Sequence, residues 1–224
     1  MPNSVSLPTP LILAALFIAP FLFGRTLTAA RQSSVDTVIT VDRRSVMKYK
    51  GKASEEVIQK ALLAAIHAPN HWLNEPWRFY RLGPESRGKL GELNPDKAAV
   101  FAGVPDMFVV TVVPSMAMKT HSMDDAKQAW DGSWGKCALE DHAATAAAIQ
   151  NLMLSLAASG VGSKWMTGAM GIAPDKLLQL VDAEPNQEHM MGVIFVGVPA
   201  KPTKTMSAPK RKKGLEGGIV SFCE

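Results

Sequence analysis

Four short segments of this 224-residue chain carry residues that could take part in chemistry. The first is Arg43-Arg44-Ser45, in which two guanidinium groups and a hydroxyl follow one another. Arginine keeps its charge and can donate two parallel hydrogen bonds to one anion, so this cluster could bind a phosphate group. Adjacent arginines also occur on solvated surfaces, and the spacing alone leaves both interpretations open.

The second segment is a proline-rich turn over residues 68–79, with two histidines at its start. His67 and His71 are four residues apart, a spacing that on one continuous helix would suit a pair of metal ligands. Pro69 lies between them and argues against such a helix, and no third ligand is nearby. We therefore predict no metal site, and the alternative is a packing turn with capping histidines.

The third segment, residues 160–168, reads GVGSKWMTG. Its three glycines permit close approach of the backbone to a flat ligand, and Thr167 could donate a hydrogen bond to a ring carbonyl. The segment follows a predicted helix rather than a strand, which is the wrong order for a dinucleotide-binding loop. A simple connecting loop is the alternative.

The fourth segment is basic and lies near the end of the sequence. Residues 201–213 contain six Lys and Arg and no acid, whereas residues 36–200 contain 16 Lys and Arg against 18 Asp and Glu. A nucleic-acid-binding protein usually spreads its basic residues over one face, so this distribution predicts no nucleic-acid partner. The segment is either a local anion site or a solvated tail.

Composition excludes several classes of protein. Apolar residues make up 47% of the chain and charged residues 20%, the ordinary mixture of a globular protein. The two cysteines, Cys137 and Cys223, are too few for a disulfide scaffold or a cysteine-rich metal site. The sequence has no GxSxG motif, and Cys137 and His142 fall off a common face of the predicted helix. We therefore predict no nucleophilic triad.

Residues 1–35 are predicted to lie outside the folded domain, which we place at residues 36–224. Leu11–Phe23 is a run of 13 residues, apolar except for one proline, and is shorter than the about 20 residues that a membrane-spanning helix needs. Its length suits the core of a signal peptide, and two arginines without any acid also suit an organelle-targeting leader. We predict targeting or membrane anchoring; an apolar N-terminal arm of a cytoplasmic protein is the alternative.

Helical and extended patterns are mixed along the predicted domain. Ser54 is a predicted N-cap of a helix that ends before Pro69, and the Ala- and Leu-rich residues 137–159 predict a long buried helix. The apolar runs Met107–Val113 and Met190–Val198 predict strands buried on both faces. Shorter strands are predicted over Arg78–Leu82 and Ser163–Met166, helices over residues 86–93 and 174–181, and a lid or loop over residues 115–135. The mixture predicts an α+β fold.

Taken in order, these segments resemble the FMN-dependent nitroreductase family. The likeness rests on RRS, APxH followed by PWRF, a long Ala-rich helix ending in GVG, then WMTG and GVIFVGVPAKP. It covers about residues 37–202 and is closest to the short-form bacterial NAD(P)H nitroreductases. The resemblance implies a nitroreductase-like α+β fold, in which a central mixed or antiparallel sheet is flanked by helices in an intertwined homodimer.

The resemblance also implies an FMN site at the subunit interface. Arg43, Arg44 and Ser45 would hold the phosphate and ribityl oxygens, while His67 and His71 would contact the same cofactor from the partner subunit. The isoalloxazine ring would lie along Trp165, Met166, Thr167 and Gly168. In longer family members a basic pair near the C-terminus touches the phosphate, and the candidates for that role are Lys210 and Lys212.

The function implied is hydride transfer that needs no catalytic side chain, because the chemistry belongs to the flavin. NADH or NADPH would reduce FMN and leave, and a small electron-poor acceptor such as a nitroaromatic or a quinone would then be reduced. Glu75 departs from the family, which usually has a glutamine before the PW pair. A carboxylate cannot donate a hydrogen bond and disfavours a negatively charged reduced flavin. A non-catalytic flavin-binding protein, a same-fold flavoenzyme acting on another metabolite and an unrelated α+β domain are the alternatives.

Overall fold

The computed structural model describes residues 34–115, 133–185, 187–212 and 219. Its α-helices are α1 Val35–Thr37, α2 Glu55–Ile66, α3 Pro84–Leu93, α4 Ala98–Ala102, α5 Ser133–Ala158 and α6 Pro174–Leu180. Its strands are β1 Tyr49–Gly51, β2 Trp77–Arg81, β3 Asp106–Val112, β4 Gly162–Met166 and β5 His189–Pro199. A π-helical segment, Val38–Asp42, continues α1, and short 3-10 turns include His71–Leu73, Ala169–Gly171 and Thr203–Thr205.

The five strands form one sheet in which β5 is the most connected strand. The order is β1-β5-β3-β2, and β4 also pairs with β5. Every one of these strand pairs is antiparallel, while an isolated parallel bridge joins Ser45 to Ser163. The predicted α+β class with a mixed or antiparallel central sheet is therefore confirmed.

The central strands β3 and β5 are mostly apolar because helices cover both faces of the sheet, and the buried polar residues of β3 are Asp106 and Thr111. Phe108 and Ile194 belong to one hydrophobic cluster, which is completed by residues of α2 and α5. Their neighbours Val109 and Phe195 belong to a second cluster, which is completed by residues of α3, α4 and α6. Since successive strand residues point to opposite faces, a strand covered on both sides is apolar at most of its positions.

Most predicted elements are confirmed, with boundaries that differ by a few residues. The Ser54 hydroxyl accepts the N–H of Val57 at 3.4 Å and α2 ends at Ile66, as the cap and Pro69 predict. The long helix α5 begins at Ser133 rather than at residue 137. The short elements α1, β1 and α4 were not expected from the sequence. Residues 1–33 of the predicted leader and most of the predicted loop over 115–135 lie outside the described residues.

One ion-pair network, buried at Asp106 and exposed at Glu55, ties α2, β2 and β3 together. The Arg81 guanidinium donates through Nε and Nη2 to Asp106, with a shortest distance of 2.6 Å, and through Nη1 to both oxygens of Glu55 at 2.7 and 2.8 Å. Asp106 is only 2% exposed. A buried carboxylate is tolerated when it is paired and hydrogen-bonded, so Arg81 is a structural residue of the sheet.

Candidate functional site

The first and third predicted segments lie side by side in the fold. Ser45 forms a parallel bridge with Ser163, and the N–H of Val46 donates to the Ser163 carbonyl at 3.0 Å. This approach depends on Gly162, because a Cβ there would lie 2.6 Å from Cγ2 of Val46. The start of β4 is thus held against the residue that ends the Arg43-Arg44-Ser45 cluster.

Arg44 has a buried donor that the described residues leave without a partner. Its Nη1 donates to the carbonyls of Thr40 at 3.0 Å and Arg43 at 2.9 Å, which fixes the side chain against the end of Val38–Asp42. Its Nε is buried and has no hydrogen-bond partner in the described part of the chain. An unsatisfied buried donor costs about 1–3 kcal/mol, so an anionic acceptor bound here would remove a penalty as well as match a charge.

Arg43 and Ser45 complete this cluster in a way that fits an anionic ligand. Arg43 is partly exposed, and Ser45 is exposed. The cluster therefore offers a guanidinium and a hydroxyl to solvent next to the orphan Nε of Arg44. Among the described residues no carboxylate forms a salt bridge with either arginine.

The predicted ring-contacting residues lie at the far end of β4. Trp165 and Met166 are partly buried and belong to the hydrophobic clusters on opposite faces of the sheet. Nε1 of Trp165 donates to the carbonyl of Met191 at 2.9 Å. Thr167 and Gly168 follow the strand and are exposed, so the Thr167 hydroxyl is accessible to a ligand.

The two histidines lie in a separate part of the fold. His67 caps the C-terminal end of α2 and is exposed. Nδ1 of His71 lies 3.6 Å from Oε2 of Glu140 on α5, and its ring centroid is 4.3 Å from that of Trp72. No hydrogen bond, salt bridge or ring contact between described residues joins either histidine to the arginine cluster or to β4. In the described part of the chain no group of His, Cys, Asp or Glu is arranged to hold a metal ion.

The turn that follows His71 combines exposed apolar side chains with an unusual backbone. Trp72, Leu73 and Glu75 have φ values of 50°, 54° and 47°, in the left-handed region that non-glycine residues seldom adopt. The side chains of Trp72 and Leu73 are 78% and 80% exposed. The amide oxygen Oδ1 of Asn70 holds the turn by accepting the N–H of Glu75 at 3.0 Å. Such strain persists where the surroundings impose it, frequently at ligand sites and interfaces.

The basic segment begins close to the arginine cluster. The 3-10 turn Thr203–Thr205 packs against Val38–Asp42, which leads directly into Arg43. Lys210 and Lys212 are exposed, and the structure gives them no hydrogen bond to a described residue. Lys213 lies outside the described residues. A phosphate contact by Lys210 or Lys212 therefore stays a prediction.

Comparison with known proteins adds a decisive observation to this geometry. Residues 40–198 match the model of the nitroreductase family, and this range contains the arginine cluster, both histidines and all of β4. The chain belongs to the nitroreductase family. A relative in Bacillus subtilis strain 168, "Putative NAD(P)H nitroreductase YfhC", is 32% identical over 192 residues, which cover 81% of this chain and 90% of the relative.

Solved structures share the nitroreductase fold with this chain. A nitroreductase-like family protein from Bacillus cereus is 21% identical with a TM-score of 0.65, covering 85% of this chain and 96% of that one. A protein from Desulfovibrio desulfuricans, solved in complex with FMN, is 22% identical with a TM-score of 0.62, covering 86% and 99% of the two chains. At these identities the likeness establishes the shared fold alone.

Proposed function

We propose that this chain is an FMN-dependent NAD(P)H oxidoreductase that reduces nitroaromatics, quinones or similar electron-poor acceptors by ping-pong hydride transfer. The observation that carries the proposal is the unsatisfied Nε of Arg44 in a cationic cluster, bridged to β4 in a nitroreductase fold. The name of the Bacillus subtilis relative supports NAD(P)H as donor, and the FMN complex of the Desulfovibrio desulfuricans protein supports the cofactor.

The residues of the site fit FMN at both of its ends. Arg43, Arg44 and Ser45 would bind the phosphate and the neighbouring ribityl oxygens, because two guanidiniums match its charge and the hydroxyl supplies a further hydrogen bond. Trp165 and the chain from Met166 to Gly168 would line the flat isoalloxazine ring. Bound FMN would supply the hydride chemistry, and the protein would supply position and electrostatics.

We also propose that the protein is a homodimer in which His67 and His71 reach the cofactor of the partner subunit. Support comes from an exposed apolar surface on α2, α5 and the turn between α2 and β2, here called the α2–α5 patch. Its members are Leu63, Ile66, Trp72, Leu73 and Leu139. These exposed residues lie on elements that contact one another, and clustered apolar surface is usually covered by a partner. His67 and His71 lie in the same region.

The dimer is tested by sedimentation at several protein concentrations. The double variant Trp72→Ser/Leu73→Ser should dissociate at concentrations where the unmodified chain stays dimeric, and its FMN affinity should fall with it. Val35→Ser, which changes an equally exposed apolar residue outside the patch, is the control and should leave the dimer intact. A monomeric unmodified chain would contradict the proposal.

The activity is tested by the visible spectrum of the FMN-loaded protein before and after anaerobic addition of NADPH or NADH. Loss of the oxidised-flavin absorption, followed by its return when a quinone or a nitroaromatic is added, is the expected result. Bound flavin that neither donor reduces would favour a flavin-binding protein without this activity and would point to Glu75. In that case Glu75→Gln should restore reduction. A chain that fails to take up FMN would remove the proposal.

A role of residues 1–35 in targeting or anchoring is a separate proposal. In the described residues no helix is both long and apolar enough to cross a membrane. Fusions of a fluorescent protein to residues 1–35 and to residues 36–224 would test the proposal. Organelle, secretory or membrane localisation that follows residues 1–35 is the expected result, and identical localisation of the two fusions would contradict it.

A further inference from the structure

Strand β5 contains a bulge next to Trp165. Along β3, Val110 pairs with Gly192 and Thr111 pairs with Met190, so Met191 is the extra residue and has no partner in β3. The pairing of β4 with β5 ends at Met166 and Val193, so Gly192, the next residue of β5 towards the bulge, has no partner in β4. The carbonyl of Met191 is thereby released from the ladder, and it accepts the indole N–H of Trp165 at 2.9 Å.

Gly192 provides the space in which the indole lies. Its φ is +142°, in a region that favours glycine. A Cβ on this residue would lie 2.5 Å from Nε1 and 2.8 Å from Cδ1 of Trp165, and 2.9 Å from the carbonyl oxygen of Met166. Distances below 3.0 Å force atoms to move. Any side chain at position 192 would therefore displace both the indole of Trp165 and the peptide group of Met166.

We propose that the Met191–Gly192 bulge positions Trp165 and the Met166 peptide for binding of the flat FMN ring, which makes Gly192 a positioning residue. The proposal rests on the proposed function, because that function assigns Trp165 to the ring. Bulges re-aim side chains beside active sites. An indole fixed by a hydrogen bond on one side and by backbone contact on the other loses little conformational freedom when a ligand binds. The FMN ring would therefore bind against a preorganised surface.

The test is a double-mutant cycle on the full chain, read as the dissociation constant of FMN from quenching of flavin fluorescence. Gly192→Ala should weaken binding by about tenfold, because the displaced indole and peptide no longer match the ring. Trp165→Ala should weaken binding as well. Adding Gly192→Ala in that background should cost no more than about threefold, because the indole that the new methyl group displaces is then absent.

Gly197→Ala is the matched control on the same strand. A Cβ at position 197 would lie 2.8 Å from Cδ1 of Tyr49 and 3.0 Å from Pro105, so this position is also crowded, though less than position 192, and Trp165 is not involved. This variant should also lose thermal stability, although less than Gly192→Ala because only Gly192 of the two has a positive φ, while its FMN affinity stays within about twofold of the unmodified chain. An equal loss of affinity in both glycine variants would overturn the positioning role.

Further outcomes separate this inference from the proposed function. Should Gly192→Ala fail to fold, Trp165→Phe replaces it, since phenylalanine keeps an aromatic ring but loses the hydrogen bond to Met191. An affinity about threefold lower supports the inference, and an unchanged affinity overturns it. Equal costs of Gly192→Ala with and without Trp165 would also overturn it while leaving FMN binding established. An unmodified chain that does not bind FMN would overturn the proposed function and this inference together.

Discussion

Arg81 and Arg44 show two different uses of the same side chain. Arg81 has Nε, Nη1 and Nη2 all matched by the carboxylates of Glu55 and Asp106. Arg44 donates only through Nη1, to two backbone carbonyls, and its buried Nε has no partner in the described part of the chain.

Arg87 resembles Arg44 in this respect, because its Nη1 donates to the carbonyls of Val104 and Pro105 and its buried Nε has no partner in the described part of the chain. A donor left over is therefore not enough to indicate a ligand site. Arg44 is the candidate because it also lies beside Arg43 and Ser45, and no carboxylate among the described residues pairs with Arg43 or Arg44.

The largest expected effect is the loss of stability on replacement of Arg81, whose donors are all paired within the chain. Arg81→Met should lower the free energy of unfolding in urea by about 3 kcal/mol, because it leaves the carboxylate of Asp106 buried without its cation. Affinity for FMN should not change. Arg78→Met is the control, since Nη1 of Arg78 donates only to the carbonyls of Glu75 and Trp77. A loss of FMN affinity in Arg81→Met would erase the distinction between the two arginines.

The next largest effect is the loss of FMN affinity on replacement of Arg44 together with Arg43. Arg43→Ala/Arg44→Ala should weaken FMN binding by about 100-fold, or about 2.7 kcal/mol, because two charged donors to one anion are lost. Its stability should fall less than that of Arg81→Met. Lys48→Ala/Lys50→Ala removes the same charge from a nearby exposed stretch and should change affinity little. Equal weakening of FMN binding in both double variants would show that general electrostatic attraction, rather than specific contacts, accounts for the effect. Unchanged FMN binding in the arginine variant would contradict the assignment of Arg43 and Arg44 to the phosphate.

The smallest effect concerns pH and the exposed end of the Arg81 network. Hydrogen bonds from Gln59 and Arg81 hold the pKa of Glu55 below its usual 4.5. The unfolded chain then binds more protons as the pH falls, so the contribution of Glu55 is present above about pH 4.5 and is lost as the pH falls through the lower folded pKa. The stability difference between the unmodified chain and Glu55→Gln should shrink as the pH falls from about 5.5 through the lowered folded pKa of Glu55.

Glu56→Gln serves as the control for this pH dependence. Glu56 follows Glu55 on α2 but forms no salt bridge with a described residue. The difference in stability between Glu56→Gln and the unmodified chain should vary less over the same pH range. A constant difference for Glu55→Gln would show that its pairing with Arg81 contributes nothing that depends on protonation.

The strands and the main helices could be predicted from the sequence because burial and capping leave local signals. Continuous apolar runs mark β3 and β5, and Ser54 with two following glutamates marks the start of α2. The pairing of Arg81 with Asp106 could not be predicted, because it depends on which strands become neighbours. Short elements such as β1 were missed for a different reason, because three residues carry too little periodicity to be recognised.

The residues proposed for the candidate site were selected from sequence motifs, whereas their arrangement could not be predicted. The arginine cluster and residues 165–168 were identified through motifs, whereas the bridge from Ser45 to Ser163 exists only in the folded chain. Gly192 was missed although the sequence carries a signal for it. A glycine within the apolar run MMGVIFVGV indicates a bulge or a close backbone approach, and the structure has both at that position.

The most direct test of the central claim is a crystal structure of the full chain with FMN bound. We expect the phosphate within hydrogen-bond distance of Arg43 and Arg44, with Nε of Arg44 donating to a phosphate or ribityl oxygen. The side chains around Arg81 should be unchanged. A phosphate bound elsewhere, with Nε of Arg44 still lacking a partner, would contradict the claim that this arginine is prepared for the cofactor.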